Sequence, residues 1–154
     1  MKIIRSLGAM ALAGAAVTTT ASAEERGYSA ALCGSSSSNV SFSNLGVEVT
    51  NLSPGNVYCG AAPLVGADVD RIQATVYDRN PTSDVCCTMS VVNADGFTVA
   101  SANRCSTGSG NASQLLSALL PVNVAGSVIL SCLLPPASPS GSSRIATYRV
   151  RSTP

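Results

Sequence analysis

The sequence contains no histidine and no tryptophan, and its 154 residues include only six aromatic side chains. Without histidine, the chain cannot form a Ser-His-Asp or Cys-His catalytic group, nor a histidine-ligated zinc or copper site. Lysine occurs once, at Lys2, and beyond residue 23 seven arginines face eight carboxylates, a net charge of −1. That balance removes the electrostatic basis for binding nucleic acid or acidic lipid. We therefore expect a protein that is not an enzyme and that holds no cofactor.

The amino terminus has the features of a secretory signal peptide. Lys2 and Arg5 supply a short positive region, 7–17 is an apolar run, and Ala21-Ser22-Ala23 has the small residues of a cleavage site. An apolar helix of about 11 residues reaches only ~16 Å, far less than a bilayer core. We expect a Sec-type signal peptide over 1–23, cleaved after Ala23. The protein is then secreted or periplasmic and does not insert into the membrane once the leader is removed.

All six cysteines lie beyond the leader. They are Cys33, Cys59, Cys86, Cys87, Cys105 and Cys132. An even number of cysteines in a small exported domain is typical of a disulfide framework. A metal site is the alternative, but the chain has no C-x-x-C pair, and two adjacent cysteines are unsuited to one tetrahedral centre. We therefore expect three disulfides and no metal bound by cysteine.

Local geometry narrows the pairing of one of the two adjacent cysteines. The segment Asn-Ala-Asp-Gly at 93–96 is a strong hairpin signal between two strand-like runs. If Asp95 and Gly96 are the two turn residues, counting outward along both strands brings Cys86 opposite Cys105, at a separation that a disulfide spans. A four-residue turn would shift this register.

The other cysteines are assigned by strand face and by elimination. Cys87 points to the opposite face of its strand from its neighbour, on the side that also carries apolar residues. Cys132 shares a face with Leu130, so both cysteines sit on core-facing sides, which favours Cys87–Cys132. Cys33–Cys59 then remains. Each bridge would stabilise the fold by about 2–4 kcal/mol.

Turn-forming residues recur at short intervals, and the runs between them are rich in Val, Ile and Thr. This pattern predicts one all-β domain over 24–154, an antiparallel β-sandwich of jelly-roll or Ig-like type with about eight strands and an ordered core over about 33–152. The strands are expected at 39–43, 46–51, 56–60, 69–79, 84–92, 97–104, 126–133 and 143–151. The segment 113–120 also fits one face of a helix, but its short length and turn-like flanks favour a strand.

Four aspartates are the first candidates for chemistry: Asp68, Asp70, Asp78 and Asp84. Asp68 and Asp70 share one side of an extended strand, where hard oxygen ligands can hold Ca²⁺. The spacing is not that of an EF-hand loop, and Arg71 and Arg79 lie close enough in sequence to pair with these carboxylates. We therefore favour turn caps and surface ion pairs over a Ca²⁺ site or a carboxylate pair for glycoside hydrolysis.

Tyrosines are the second candidates, because an exposed planar ring can stack on the face of a sugar. Three of the four tyrosines lie in expected strands and are the candidate ligand-binding residues: Tyr58, Tyr77 and Tyr148. Tyrosine is also an ordinary strand residue that places its hydroxyl at the rim of a core. The absence of tryptophan weakens the case for stacking.

Five short motifs, taken in order, carry a resemblance to a known group: Val57-Tyr58-Cys59, Val76-Tyr77-Asp78, Val85-Cys86-Cys87-Thr88, Cys132-Leu133-Leu134-Pro135 and Ser143-Arg144-Ile145-Ala146-Thr147-Tyr148-Arg149-Val150. Over about 45–151 the chain resembles small exported bacterial proteins common in myxobacteria. The resemblance implies a compact β-sandwich with a bridge of the Cys87–Cys132 type. Such proteins usually have four cysteines, so Cys86 and Cys105 are an addition here. No catalytic or binding residues come with the resemblance.

These observations lead to an expected function in outline. The main hypothesis is a monomeric, exported, non-catalytic module that binds at a cell surface or serves a structural role outside the cell, with a polysaccharide or cell-surface component as its partner. The first alternative is a carbohydrate-binding module, Ca²⁺-dependent or not, that uses the tyrosines. The second alternative is a small secreted hydrolase or a protease inhibitor, for which 135–143 supplies the inhibitory loop.

Overall fold

The computed structural model describes residues 23–61, 68–120 and 126–153, so the expected leader at 1–22 lies outside the described residues. The described chain forms eleven strands and one short 3-10 helix, Ala30–Leu32. The strands are β1 Glu24–Ser29, β2 Gly34–Ser35, β3 Val40–Ser43, β4 Gly46–Val49, β5 Gly55–Ala61, β6 Asp68–Tyr77, β7 Cys86–Asn93, β8 Thr98–Cys105, β9 Ser113–Leu119, β10 Gly126–Leu134 and β11 Arg144–Thr153. No helix in the described ranges is long and apolar enough to cross a membrane.

The strands form two antiparallel sheets that pack as a sandwich. The six-stranded sheet has the order β3-β4-β11-β6-β9, with β1 also paired to β11, and the five-stranded sheet has the order β2-β5-β10-β7-β8. Strands that follow one another in the chain, such as β5, β6 and β7, alternate between the sheets, so most contacts are long-range. The expected all-β sandwich is confirmed.

The core lies between the sheets and is built from alternating side chains. In β6, Ile72, Ala74 and Val76 are fully buried, whereas the residues between them are half-exposed. The same alternation runs through β5 and β10. The last inward residue of β10 is Leu134. Burying a Val, Leu or Ile side chain contributes about 1.5–3 kcal/mol. Many of the inward residues are Val and Ala. The disulfides therefore add to the stability of a core that is made of small side chains.

Three disulfides join the strands: Cys33–Cys59, Cys86–Cys105 and Cys87–Cys132. These are the pairs expected from the sequence. Cys87 and Cys132 are fully buried between the sheets, whereas Cys105 is exposed on the edge strand β8. Three disulfides are typical of proteins that fold in an oxidising compartment outside the cytoplasm.

The turn between β7 and β8 differs from the expected two-residue turn at Asp95-Gly96. The Asn93 amide donates a 2.9 Å hydrogen bond to the Phe97 carbonyl, so the loop consists of the three residues 94–96. The last of them, Gly96, has a φ of +86°, a backbone conformation that favours glycine. The longer loop shifts the pairing beside the turn by one residue, and a bulge in β8 restores it. Cys86 consequently faces Cys105 although the expected turn is wrong.

The number and extent of strands also differ from expectation. The structure has eleven strands rather than about eight. Its first strand begins at Glu24, whereas the ordered core is expected to begin near residue 33. The additional strands are β1 and β2, which pair through their backbones with β11 and β5. The ambiguous segment 113–120 forms the strand β9, since its residues pair along the length of β6.

Candidate functional site

The structure places the three candidate tyrosines in three different environments. Tyr58 lies on the outer face of the five-stranded sheet and is 46% exposed. Tyr77 lies on the outer face of the six-stranded sheet, where the guanidinium carbon of Arg144 sits 4.3 Å from the centre of its ring. Tyr148 is only 2% exposed and belongs to the core. The three residues therefore do not form one ligand-binding row.

A bulge explains why Tyr148 points inward. The pairing of β11 with β6 shifts between Ile145 and Thr147, so one extra residue enters β11 there. Because side chains alternate along a strand, the extra residue moves each following side chain of β11 to the opposite face of the sheet. Ile145 and Tyr148 are both buried, although they are three positions apart. Without the bulge, Thr147 would point into the core and Tyr148 would be outside.

Tyr148 serves as a link inside the sandwich. Its hydroxyl donates a 2.7 Å hydrogen bond to the Gly60 carbonyl in the opposite sheet, and its ring stacks on that of Tyr28 at a centroid distance of 4.9 Å. Burial raises the pKa of the Tyr148 hydroxyl above its ordinary value, and the nearby Tyr28 adds to the shift. Tyr148 therefore offers no ring face to a ligand.

Tyr58 lies in a row of hydroxyl and amide side chains. The strand registers place it beside Ser131 of β10, then Thr88 of β7, then Asn103 of β8, in one row across the sheet. We call the outward-pointing positions of this row and of the two adjoining rows the Tyr58 face: Asn56, Tyr58, Gly60, Cys86, Thr88, Ser90, Ser101, Asn103, Cys105, Ile129, Ser131 and Leu133.

The Tyr58 face has no charged side chain. Its large apolar groups are Ile129, 41% exposed, and Leu133, 45% exposed, both in the central strand β10. Arg104, the charged residue of the edge strand β8, points to the other side of the sheet. It donates a 3.1 Å hydrogen bond to the Ser117 carbonyl of the six-stranded sheet. The result is a surface of apolar patches and neutral hydrogen-bonding groups.

The outer face of the six-stranded sheet is different, because charges crowd it. Arg149 pairs with Glu25 at 3.1 Å, and Arg151 makes a two-pronged ion pair with Asp70. The ring of Tyr77 is occupied by Arg144. A sugar stacking on Tyr77 would have to displace a guanidinium, whereas the ring of Tyr58 needs no such displacement.

The structure does not bring the four aspartates together as a metal or catalytic site. Asp70 is engaged by Arg151, Asp78 is fully buried, and Asp84 is exposed in a turn. Among the residues that the structure describes, no three side chains of the Asp, Glu, Cys or His type approach one another closely enough to hold a metal ion. Turn capping and ion pairing account for Asp70 and Asp78.

The carboxylate of Asp78 joins three loops at one end of the sandwich. One oxygen accepts from the Asn80 amide at 3.0 Å and the Ser143 hydroxyl at 3.1 Å. The other accepts from the Val85 amide at 3.3 Å and the Ser106 hydroxyl at 2.5 Å. Sequence reasoning did not assign Asp78 this role, because the two serines lie 28 and 65 residues away.

The segment expected to act as an inhibitory loop folds back on the domain. Pro135 and Ser143 are buried, and the Ala137 amide donates a 2.9 Å hydrogen bond to the Asn51 carbonyl. The Ser138 hydroxyl donates to the Arg79 carbonyl at 2.7 Å, and only 139–140 are exposed. A projecting loop for insertion into a protease is not formed.

Comparisons with known proteins place the fold. No protein-family model and no curated protein matches the chain. The structure is similar to the CBM36-1 domain of a multidomain xylanase from the hindgut metagenome of Trinervitermes trinervoides, with a TM-score of 0.52 and 10% identity over 82% of this chain and 96% of that one. It is also similar to a family 6 carbohydrate-binding module, with a TM-score of 0.50 and 13% identity over 80% of this chain and 90% of that one.

A third similar structure is an enzyme domain. The tailspike protein 4 enzymatically active domain of bacteriophage CBA120 matches with a TM-score of 0.50 and 9% identity, over 82% of this chain but 19% of that one. At such identities the three likenesses establish a shared β-sandwich fold and nothing finer.

Proposed function

We propose that the protein is a non-catalytic carbohydrate-binding module and that it contacts a polysaccharide through the Tyr58 face. The observation that carries the proposal is the composition of that face: one exposed aromatic ring set among hydroxyl and amide groups, with no charge on it. The two similar sandwiches named as carbohydrate-binding modules support the same class of function.

The chemistry of the face suits a sugar polymer better than a protein. A sugar ring presents an apolar face of C–H groups and a rim of hydroxyls. The Tyr58 ring can stack on the first, and the side chains of Ser131, Thr88 and Asn103 can exchange hydrogen bonds with the second. Four neighbouring strands at about 4.8 Å spacing give a row about 14 Å long, so an extended chain fits better than a single sugar.

The lack of charge on the face sets the kind of polymer. Removing water from between this face and a neutral polysaccharide costs little free energy, because neither surface carries a charge that would be buried without a partner. The exposed large side chains of the face are one Tyr, one Ile and one Leu, fewer than the aromatic and Arg anchors that dominate most tight protein interfaces. We therefore place a neutral polysaccharide backbone on this surface, ahead of an unspecified cell-surface protein.

The proposal is tested by retention on insoluble polysaccharides. The oxidised protein is incubated with cellulose, xylan, chitin, mannan and β-1,3-glucan, and the bound fraction is measured by depletion from solution across a concentration series. Saturable retention on at least one neutral polymer is expected, and soluble oligosaccharides of that polymer should compete. Passage through every matrix without depletion would contradict the proposal.

A further inference from the structure

A second surface feature lies at the end of the sandwich where the loops after β6, β8 and β10 meet. A cavity of about 360 Å³ opens there. Its lining residues come from three loops: Arg79, Ser109, Gly110, Asn111 and Ser140. We call it the loop-end pocket. Neither the aspartates nor the tyrosines singled out in the sequence line it.

The buried carboxylate of Asp78 holds the walls of the pocket in place. Besides its four side-chain hydrogen bonds, the Asp78 backbone carbonyl accepts a 2.7 Å hydrogen bond from the Gly110 amide. The Arg79 backbone is fixed on both sides, since its amide donates to the Ser143 hydroxyl and its carbonyl accepts from Ser138. A pocket whose walls are already ordered loses little conformational entropy on binding a ligand.

The pocket contains one positive charge that the described protein does not neutralise. The guanidinium of Arg79 makes no ion pair or hydrogen bond with any residue that the structure describes, although Asp78 is its neighbour in sequence. Asp78 instead accepts from four neutral donors, so its acceptor sites are already occupied. The guanidinium lies against Gly141, whose missing side chain leaves the room: a Cβ there would be 3.0 Å from Nη1 of Arg79.

We propose that the loop-end pocket binds a hexuronic acid residue of a glycan, with its carboxylate on Arg79. This inference rests on the proposed carbohydrate-binding function and adds a second site to it. The planar guanidinium offers two parallel N–H donors that match the two oxygens of a carboxylate. The hydroxyls of Ser109 and Ser140 and the amide of Asn111 supply donors and acceptors for the hydroxyls of the sugar ring.

The polarity of the pocket favours this ligand over others. All four remaining lining residues are neutral and small or amide-bearing, and none offers an aromatic or large aliphatic surface. An apolar ligand would gain little there. A polyanion such as nucleic acid would need several cations, whereas the pocket has one. A single carboxylate on a hydroxylated ring satisfies both the charge and the hydrogen-bonding groups.

The test measures binding of hexuronic acid tetrasaccharides of the galacto, gluco and manno series to the oxidised protein by isothermal titration calorimetry. Each acid is compared with its methyl ester, which removes the negative charge and keeps the ring. We expect at least one acid to bind, and its ester to bind at least tenfold more weakly. The Arg79→Gln variant should lose the same factor for the acid and almost nothing for the ester, while Arg79→Lys should recover part of the loss.

Arg149→Gln is the matched control, because it removes the same charge from the outer face of the six-stranded sheet. It should bind the acid as the wild type does. Thermal unfolding should be unchanged in Arg79→Gln, since that side chain makes no hydrogen bond within the described chain. Equal affinity for acid and ester, an equal loss in Arg79→Gln and Arg149→Gln, or binding of a sulfated neutral tetrasaccharide but of no uronic acid, would each overturn the proposal.

Failure of this inference can be told apart from failure of the proposed function. If neutral polysaccharides retain the protein but no uronic acid prefers the wild type over Arg79→Gln, the loop-end pocket is not a uronate site and the Tyr58 face stands. If neither neutral nor acidic glycans bind, both proposals are overturned.

Discussion

The hydroxyl of Tyr148, in the six-stranded sheet, donates a 2.7 Å hydrogen bond to the carbonyl of Gly60, in the five-stranded sheet. It is a polar link across a core that otherwise consists mainly of Val, Ala, Leu and Ile. Because the Tyr148 ring is also buried, the residue serves the fold and offers no ring face to a ligand.

Removing the Tyr148 hydroxyl should destabilise the sandwich. We expect Tyr148→Phe to lower the free energy of unfolding by about 1 kcal/mol, since the Gly60 carbonyl loses its donor while the ring remains packed. Urea denaturation followed by far-ultraviolet circular dichroism measures the change. Tyr77→Phe is the control and should be close to the wild type; an equal loss in both variants would show that the cross-sheet bond is not the cause.

The same residue predicts a pH effect. Burial raises the pKa of the Tyr148 hydroxyl above its ordinary value of 10.0, so the folded state holds this proton more tightly than the unfolded state. The resulting stabilisation is fully present below pH 10 and is lost as the pH rises through the folded pKa. The stability difference between wild type and Tyr148→Phe should therefore stay constant up to about pH 9 and shrink as the pH rises through and beyond about 10. A difference that grows with pH would contradict this assignment.

Asp78 should be the most sensitive carboxylate in the protein. Asp78→Ala leaves the amide of Val85 and the hydroxyls of Ser106 and Ser143 without their charged acceptor inside the fold, and we expect a loss of about 3 kcal/mol or more. Asp84→Ala, in an exposed turn, should change stability by less than about 0.5 kcal/mol. Thermal and urea unfolding of the two variants decide the point, and equal stability would refute the role given to Asp78.

The three disulfides should differ in their accessibility to reductant. Cys105 is exposed and Cys86 half-buried, whereas Cys87 and Cys132 are fully buried. Under native conditions a mild thiol reductant should open Cys86–Cys105 first, and Cys87–Cys132 should resist until the protein unfolds. Alkylation of the released thiols followed by peptide mass mapping identifies the order. Early labelling of Cys87 or Cys132 in folded protein would be the contrary result.

Several features of the fold follow directly from local patterns in the sequence. The alternation of Ile72, Ala74 and Val76 predicts β6, because period-two burial is the signature of a half-buried strand. The pairing of Cys86 with Cys105 follows from counting outward from the hairpin turn. That result holds only because the bulge in β8 compensates for the longer turn, which the sequence does not reveal.

Other features depend on long-range packing and have no local signal. β1 shows no apolar alternation, because its side chains are mostly exposed. It adds to the sheet by pairing its backbone with β11, with Glu24 opposite Ser152. Tyr58 and Tyr148 look equivalent in sequence, and a single bulge decides that one points out and the other in. The loop-end pocket unites residues from three loops far apart in the chain, so no spacing rule could assemble it.

The measurement that tests the central claim most directly is the binding isotherm of Tyr58 variants on the neutral polysaccharide that retains the wild type best. Tyr58→Ala should weaken binding by about tenfold or more, because the stacking ring is lost. Tyr58→Phe should bind nearly as well, since the ring remains, and Tyr77→Ala should bind like the wild type. Undiminished binding by folded Tyr58→Ala would contradict the assignment of the Tyr58 face as the carbohydrate-binding surface.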